Sequence, residues 1–188
     1  MRQGDACHID FAALRRERSA PGEQVVLAPG NVLIPATHVA VLTVVASSVA
    51  VTAYDAKLKR GGICHFVRAI PDPGRPLTPL YGLPAVAALI GHFLDQGATP
   101  ETLRVGVYGG AYPEWAAARE REIARENVSV VIDVLKRKDI VPWDQDCAGN
   151  RGRKLIYMTG TNEIAVLKTD LVRKNDWFPE VPTNGGPT

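Results

Sequence analysis

Two side chains in the first half of the chain are of types that can do chemistry together. Ser48 opens the alternating apolar segment Val49 to Asp55, and His65 lies inside the next such segment, Gly62 to Val67. If these segments pair as strands, a hydroxyl meets an imidazole, the minimal geometry for a nucleophile and its base. Successive strand residues face opposite sides, so Cys64 should turn away from His65 and cannot substitute for Ser48. Spacing alone also allows a plainer reading, and favours it. In that reading Ser48 is a turn residue and His65 a strand histidine with its hydrogen bonds met.

The other reactive residue types carry weaker signals. Cys147 lies in a polar loop and reads first as a simple thiol. His92 falls on the apolar face of a helix, and His8 and His38 have no partner visible in the sequence. Asp144 and Asp146 flank Gln145, but a hard cation would need more oxygen ligands than that loop offers. The pair Gly109-Gly110 does not open a helix in the dinucleotide-binding pattern. Cys7, Cys64 and Cys147 are an odd number at wide spacing, neither a disulfide framework nor a zinc pattern. No cofactor and no metal is expected.

The elements that must position Ser48 and His65 follow from hydrophobic periodicity. Glu23 to Leu27 reads as a strand closed by Pro29-Gly30. Val39 to Val45 and Val49 to Asp55 are rich in β-branched residues and read as strands, with a tight bend at Ala46-Ser47-Ser48 that exposes Ser48. Gly62 to Val67 is the third strand of this group. The spacing predicts a helix over 84–95, a strand over 103–108 and a second helix over 123–138, with 114–122 either helix or loop. Ile140 to Trp143 reads as a short strand, Asp146 to Gly152 as a loop, and Lys154 to Met158 with Glu163 to Lys168 as a hairpin. Residues 1–22 are a polar lead-in, 23–170 one domain, and 171–188 a tail.

Composition sets the broad class. The 188 residues are 46% hydrophobic and 22% charged, with a net charge of +2. That suits one globular domain and argues against a nucleic-acid surface. The short, mixed run Arg15-Arg16-Glu17-Arg18 does not change this. No apolar stretch is long enough to insert into a bilayer, and the N-terminus lacks the apolar region of a signal peptide, so a cytoplasmic location is expected. Strands outnumber helices and come in runs, which predicts an α+β fold.

Several motifs, taken in order, resemble the CheD family of chemoreceptor glutamine deamidases. Ser47-Ser48 before an apolar strand ending in Tyr54-Asp55, then Gly61-Gly62-Ile63-Cys64-His65-Phe66, matches that family's Ser-Cys pair, strand and Gly-Gly-x-x-His-Phe. Tyr81-Gly82, Gly97-Ala98, Gly109-Gly110-Ala111, Ile123 to Val128, Asp146 to Lys154 and Thr159-Gly160 match later elements, so the resemblance spans residues 23–170. It implies a mixed β-sandwich-like core with helices packed outside, as in the catalytic domain of cytotoxic necrotizing factor toxins. It also implies a glutaminase site with Ser48 in the nucleophile position and His65 as base. The implied partners are cytoplasmic helices of chemoreceptors and the phosphatase CheC.

The departures gather around the chemistry. Ser48 stands where the family has cysteine, and Val44, Ala46, Ala124 and Ala148 stand where it has glycine. Glu126 replaces an arginine. Leu42 falls on a threonine that supports the histidine, while Thr43, one residue off, should face the other side of a regular strand. A thiol with a pKa near ~8.5 becomes a thiolate beside a histidine; a serine hydroxyl needs its base to act in concert. The resemblance therefore implies either a deamidase with a weakened nucleophile or a non-catalytic module that still binds receptors or CheC.

Overall fold

The computed structural model describes residues 23–170 and residue 172; the expected lead-in and almost all of the expected tail lie outside the described residues. The first five strands are β1 (Gln24–Val26), β2 (Asn31–Leu33), β3 (Ala40–Val45), β4 (Val49–Asp55) and β5 (Arg60–Phe66). Helix α1 (Gly82–Asp95), strand β6 (Leu103–Gly109) and helix α2 (Ala118–Lys136) follow. The chain closes with β7 (Asp144–Cys147), β8 (Gly152–Met158) and β9 (Ile164–Thr169).

The strands form two sheets, ordered β1-β3-β8-β9 and β2-β5-β4-β6-β7. One core lies between the sheets, where Val41, Val45, Leu155 and Tyr157 meet Ala50, Ile63 and Tyr108. A second core lies between the five-stranded sheet and the helices, where Val51, Cys64, Phe66 and Val107 meet Val86, Leu89, Phe93, Val131 and Leu135. The five-stranded sheet is thus covered on both faces. This is why all seven residues of β4 are buried and why its sequence is nearly continuous in apolar residues. Phe66, Leu89 and Leu135 are essentially fully buried, each worth roughly 2 kcal/mol of hydrophobic stabilisation. The architecture is α+β, a sandwich with helices on one outer face.

Three local expectations change. Residues 140–143 are not a strand: Pro142 has no N–H to give a ladder, and Val141 and Trp143 are exposed. The strand is β7, one step later and parallel to β6. Its carboxylates hold it in place: Tyr108 donates to Asp144 at 2.8 Å, and Arg153 of β8 donates to Asp146 at 2.7 Å. A four-residue strand of polar and charged residues has no hydrophobic signature. Helix α2 starts at Ala118 rather than Ile123, and the Glu120 carboxylate accepts from the Ala117 N–H at 3.1 Å at its first turn. Strand β2 is an addition, three residues following the left-handed turn at Gly30, and its register pairs Asn31 with His65.

Candidate active site

The bend Ala46 to Ser48 carries the chain from β3 in one sheet to β4 in the other. Antiparallel pairing of β4 with β5 sets Ala50 opposite His65 and Val49 opposite Phe66. Ser48 lies two residues from Ala50, on the same face and on the diagonal from His65. Ser48 Oγ and His65 Nε2 stand 3.0 Å apart, with Ser48 6% exposed and His65 fully buried. Cys64 turns into the helix-side core, as alternation requires, and burial pushes its thiol up to about 12, which keeps it protonated.

Thr43 is where the structure corrects the sequence reading. Its Oγ1 lies 2.9 Å from His65 Nδ1 and also donates to the Leu27 carbonyl at 2.9 Å. The register with β8 pairs Thr43 with Leu155, and both face the inter-sheet core. Leu42 pairs with Ile156, which is 45% exposed, and so faces outward. The expectation assumed a threonine six positions before the nucleophile. Here the threonine in contact with His65 lies five positions before Ser48.

These contacts favour one arrangement of the protons. The Leu27 carbonyl can only accept, so the Thr43 hydroxyl points its hydrogen there and offers a lone pair to His65 Nδ1–H. Nε2 is left as the bare nitrogen, able to accept from Ser48 Oγ–H, which is the tautomer a general base requires. Burial lowers the pKa of His65 to about 4, with the Leu27 carbonyl opposing the shift. At neutral pH the imidazole is uncharged and ready to take a proton.

The loop is braced from two further sides. Gly110 N–H donates to the Ser48 carbonyl at 3.0 Å and Ala111 N–H to the Ala46 carbonyl at 2.7 Å. Gly109 has φ +120, and a Cβ there would lie 2.2 Å from the Ser48 oxygen, so the turn requires glycine. From α2, the fully buried Asn127 donates through Nδ2 to the carbonyls of Ser47 at 2.9 Å and Val67 at 3.0 Å. The positions that replace family glycines in the crossing, Val44 and Ala46, do not have positive φ and carry their side chains without strain. Sequence reasoning missed Asn127. The signal was present, since it is a polar residue on the apolar stripe of α2 that includes Ala124 and Val131.

The remaining candidates stay apart from this cluster. Cys147 donates to the Val107 carbonyl, and burial pushes its thiol up to about 11. His92 packs edge-on against Phe93. Asp146 is held below the usual carboxylate range: burial opposes this, but the Arg153 and Lys168 contacts outweigh it. Among the described residues no group of three His, Cys, Asp or Glu side chains could hold a metal ion, and no helix is long and apolar enough to cross a membrane.

A buried hydroxyl, an imidazole in the base tautomer and a second hydroxyl that orients it have the form of a nucleophile, base and orienting group on an α+β sandwich. Sequence comparison gives the lineage. The model of the family CheD chemotactic sensory transduction matches residues 71–168, just over half of the chain. The "Probable chemoreceptor glutamine deamidase CheD 2" of Geobacter sulfurreducens is 31% identical, over 77% of this chain and 89% of its own. The "Probable chemoreceptor glutamine deamidase CheD 1" of Anaeromyxobacter dehalogenans is 34% identical, over 71% of this chain and 78% of its own. The chain belongs to the CheD family.

Proposed function

We propose that this protein deamidates glutamine side chains of chemoreceptors, with Ser48 as nucleophile and His65 as general base. The carrying observation is the hydrogen-bonded series Leu27 carbonyl, Thr43, His65, Ser48, in which Nε2 lies within hydrogen-bond reach of the hydroxyl whose proton it would accept. As Ser48 Oγ bonds to the glutamine carboxamide carbon, its proton passes to Nε2 and the carbonyl oxygen takes the negative charge. His65 then returns that proton to the amide nitrogen, the C–N bond breaks, and ammonia leaves a seryl ester. Water, deprotonated by the same imidazole, attacks the ester; glutamate forms and Ser48 regains its proton. The 3.0 Å contact suits an O–H donor, so the oxygen nucleophile is within reach of its base in the ground state. Beside the loop lies a cleft of about 200 Å³, lined by Ala46, Ala111, Tyr112 and the exposed Trp115, where a receptor helix would lie.

A second reading rests on where the family match falls. The family model's match, residues 71–168, excludes Thr43, Ser48 and His65 and covers the scaffold that surrounds the site. On that reading the protein is a binding module for chemoreceptor helices or for the phosphatase CheC. Mass spectrometry of a chemoreceptor cytoplasmic fragment, incubated with the wild-type protein, Ser48→Cys or His65→Ala, separates the two. The first reading expects glutamine-to-glutamate conversion by the wild type that disappears with His65→Ala. Conversion only by Ser48→Cys would mean a site disarmed by one atom. A fragment that is bound but converted by neither would leave the binding module.

A further inference from the structure

We infer that Asn127 is a positioning residue that aims the Ser48 backbone N–H at the oxyanion formed during attack. The inference rests on Ser48 being the nucleophile proposed above. The Asn127 amide gives both Nδ2 hydrogens to main-chain carbonyls, one of the residue before Ser48 and one two residues after His65. Its orientation is fixed, because a flipped amide would set its oxygen against two carbonyl oxygens. The clamp therefore joins the two segments that carry the candidate nucleophile and base.

The clamp also sets a peptide plane. No peptide bond among the described residues is cis, so the Ser47 carbonyl and the Ser48 N–H point in opposite directions. Anchoring the carbonyl on Asn127 turns the Ser48 N–H away from α2. None of the described residues accepts a hydrogen bond from that N–H, whereas the neighbouring Gly110 and Ala111 N–H groups are taken by the Ser48 and Ala46 carbonyls. An unpaired N–H is rare in a residue only 6% exposed, and here it belongs to the residue whose Oγ meets the imidazole. A carbon bonded to Oγ holds its oxygen within reach of the same residue's N–H, and a donor fixed before the reaction stabilises the charge with no reorganisation.

Asn127 itself is not there for stability alone. Its Oδ1 is buried without a partner among the described residues, an unsatisfied acceptor that offsets part of what the two anchored carbonyls contribute to stability. Leucine at this position keeps the volume, removes the clamp and the orphaned oxygen, and leaves the Ser47 and Val67 carbonyls without that donor.

The test uses the full chain and a boronic acid bearing a carboxamide side chain. Its boron accepts Ser48 Oγ, the proton moves to His65, and the tetrahedral boronate mimics the attack product. Boron NMR reads the adduct, and amide NMR reads Ser48. We expect the Ser48 amide proton to move downfield in the wild-type adduct. Asn127→Leu should weaken the adduct about tenfold or more at a temperature where circular dichroism shows the variant still folded. An adduct that leaves the Ser48 amide unmoved, or that Asn127→Leu binds equally well, overturns the inference and leaves Ser48 as nucleophile. The amide measurement needs no variant and stands if Asn127→Leu misfolds. No adduct on the wild type removes Ser48 as nucleophile, and the inference with it.

Discussion

At the scale of single residues, the proposed mechanism makes Thr43 the group that orients His65 as a base. Valine has the shape of threonine without the hydroxyl, so Thr43→Val leaves Nδ1 without its 2.9 Å partner and lets the ring take the wrong tautomer. Turnover should fall roughly a hundredfold with little change in KM, and Thr43→Ser should restore most of it. Steady-state deamidation of a receptor fragment by the three forms, carried out in whichever of the wild-type or Ser48→Cys backgrounds turns over, checks this. Equal rates for Thr43→Val and the parent would remove threonine from the site. The residue types of Ser48 and His65 were readable from the sequence. The identity of the third member was not, because it depends on how many residues cross between two sheets, and a fixed offset in a strand turns every side chain over when it slips by one.

At the scale of elements, the loop after β7 bears a visible cost. Ala148 has φ +61, in the left-handed region, at a position where the family has glycine. It is exposed, so its methyl group packs against little that could compensate. Ala148→Gly should raise unfolding stability by about 1 kcal/mol, seen as a higher urea midpoint at unchanged slope; a lower midpoint would mean that glycine's freedom in the unfolded chain outweighs the relieved strain. The same stretch shows why part of the fold was hidden. Strands β3, β4 and β5 announce themselves through Val, Ile and alternation. Strand β7 is built on Asp144 and Asp146, whose partners Tyr108 and Arg153 come from two other strands, β6 and β8. Hydrophobic pattern carries no information about such pairing. The first turn of α2 was hidden for a similar reason, since Arg119 to Glu122 are all charged and none of them is buried.

At the scale of the whole molecule, burying a neutral histidine ties folding to pH. The pKa of His65 is about 4 in the folded chain against an ordinary 6.5. Between these values the unfolded chain binds the extra proton, so the contribution of His65 to stability is intact above 6.5, falls as the pH drops through this window and is gone below about 4. That lowering corresponds to about 3 kcal/mol. Thermal unfolding of the wild type and His65→Gln from pH 7 to pH 4 should show a steeper decline for the wild type, and parallel lines would mean that His65 protonates freely in the fold. The rate should obey the same group, level above pH 5 and falling toward pH 4. The general architecture was legible in advance from runs of strands and two periodic helices. That the five-stranded sheet has two covered faces could be seen only once the sheets were assembled.

The hydrogen bond between Thr43 and His65 is also a bond between the two sheets, since β3 belongs to one and β5 to the other. Asn127 adds a tie from the helical layer. A nascent or refolding chain whose strands have each found their neighbours therefore has all its secondary structure and none of its chemistry. The site comes into being only when the layers dock, and docking waits on contacts between distant parts of the chain, the slow kind in folding. A half-folded copy in the cell would carry the scaffold of a deamidase with its base unaligned, and so would be silent toward every glutamine it met.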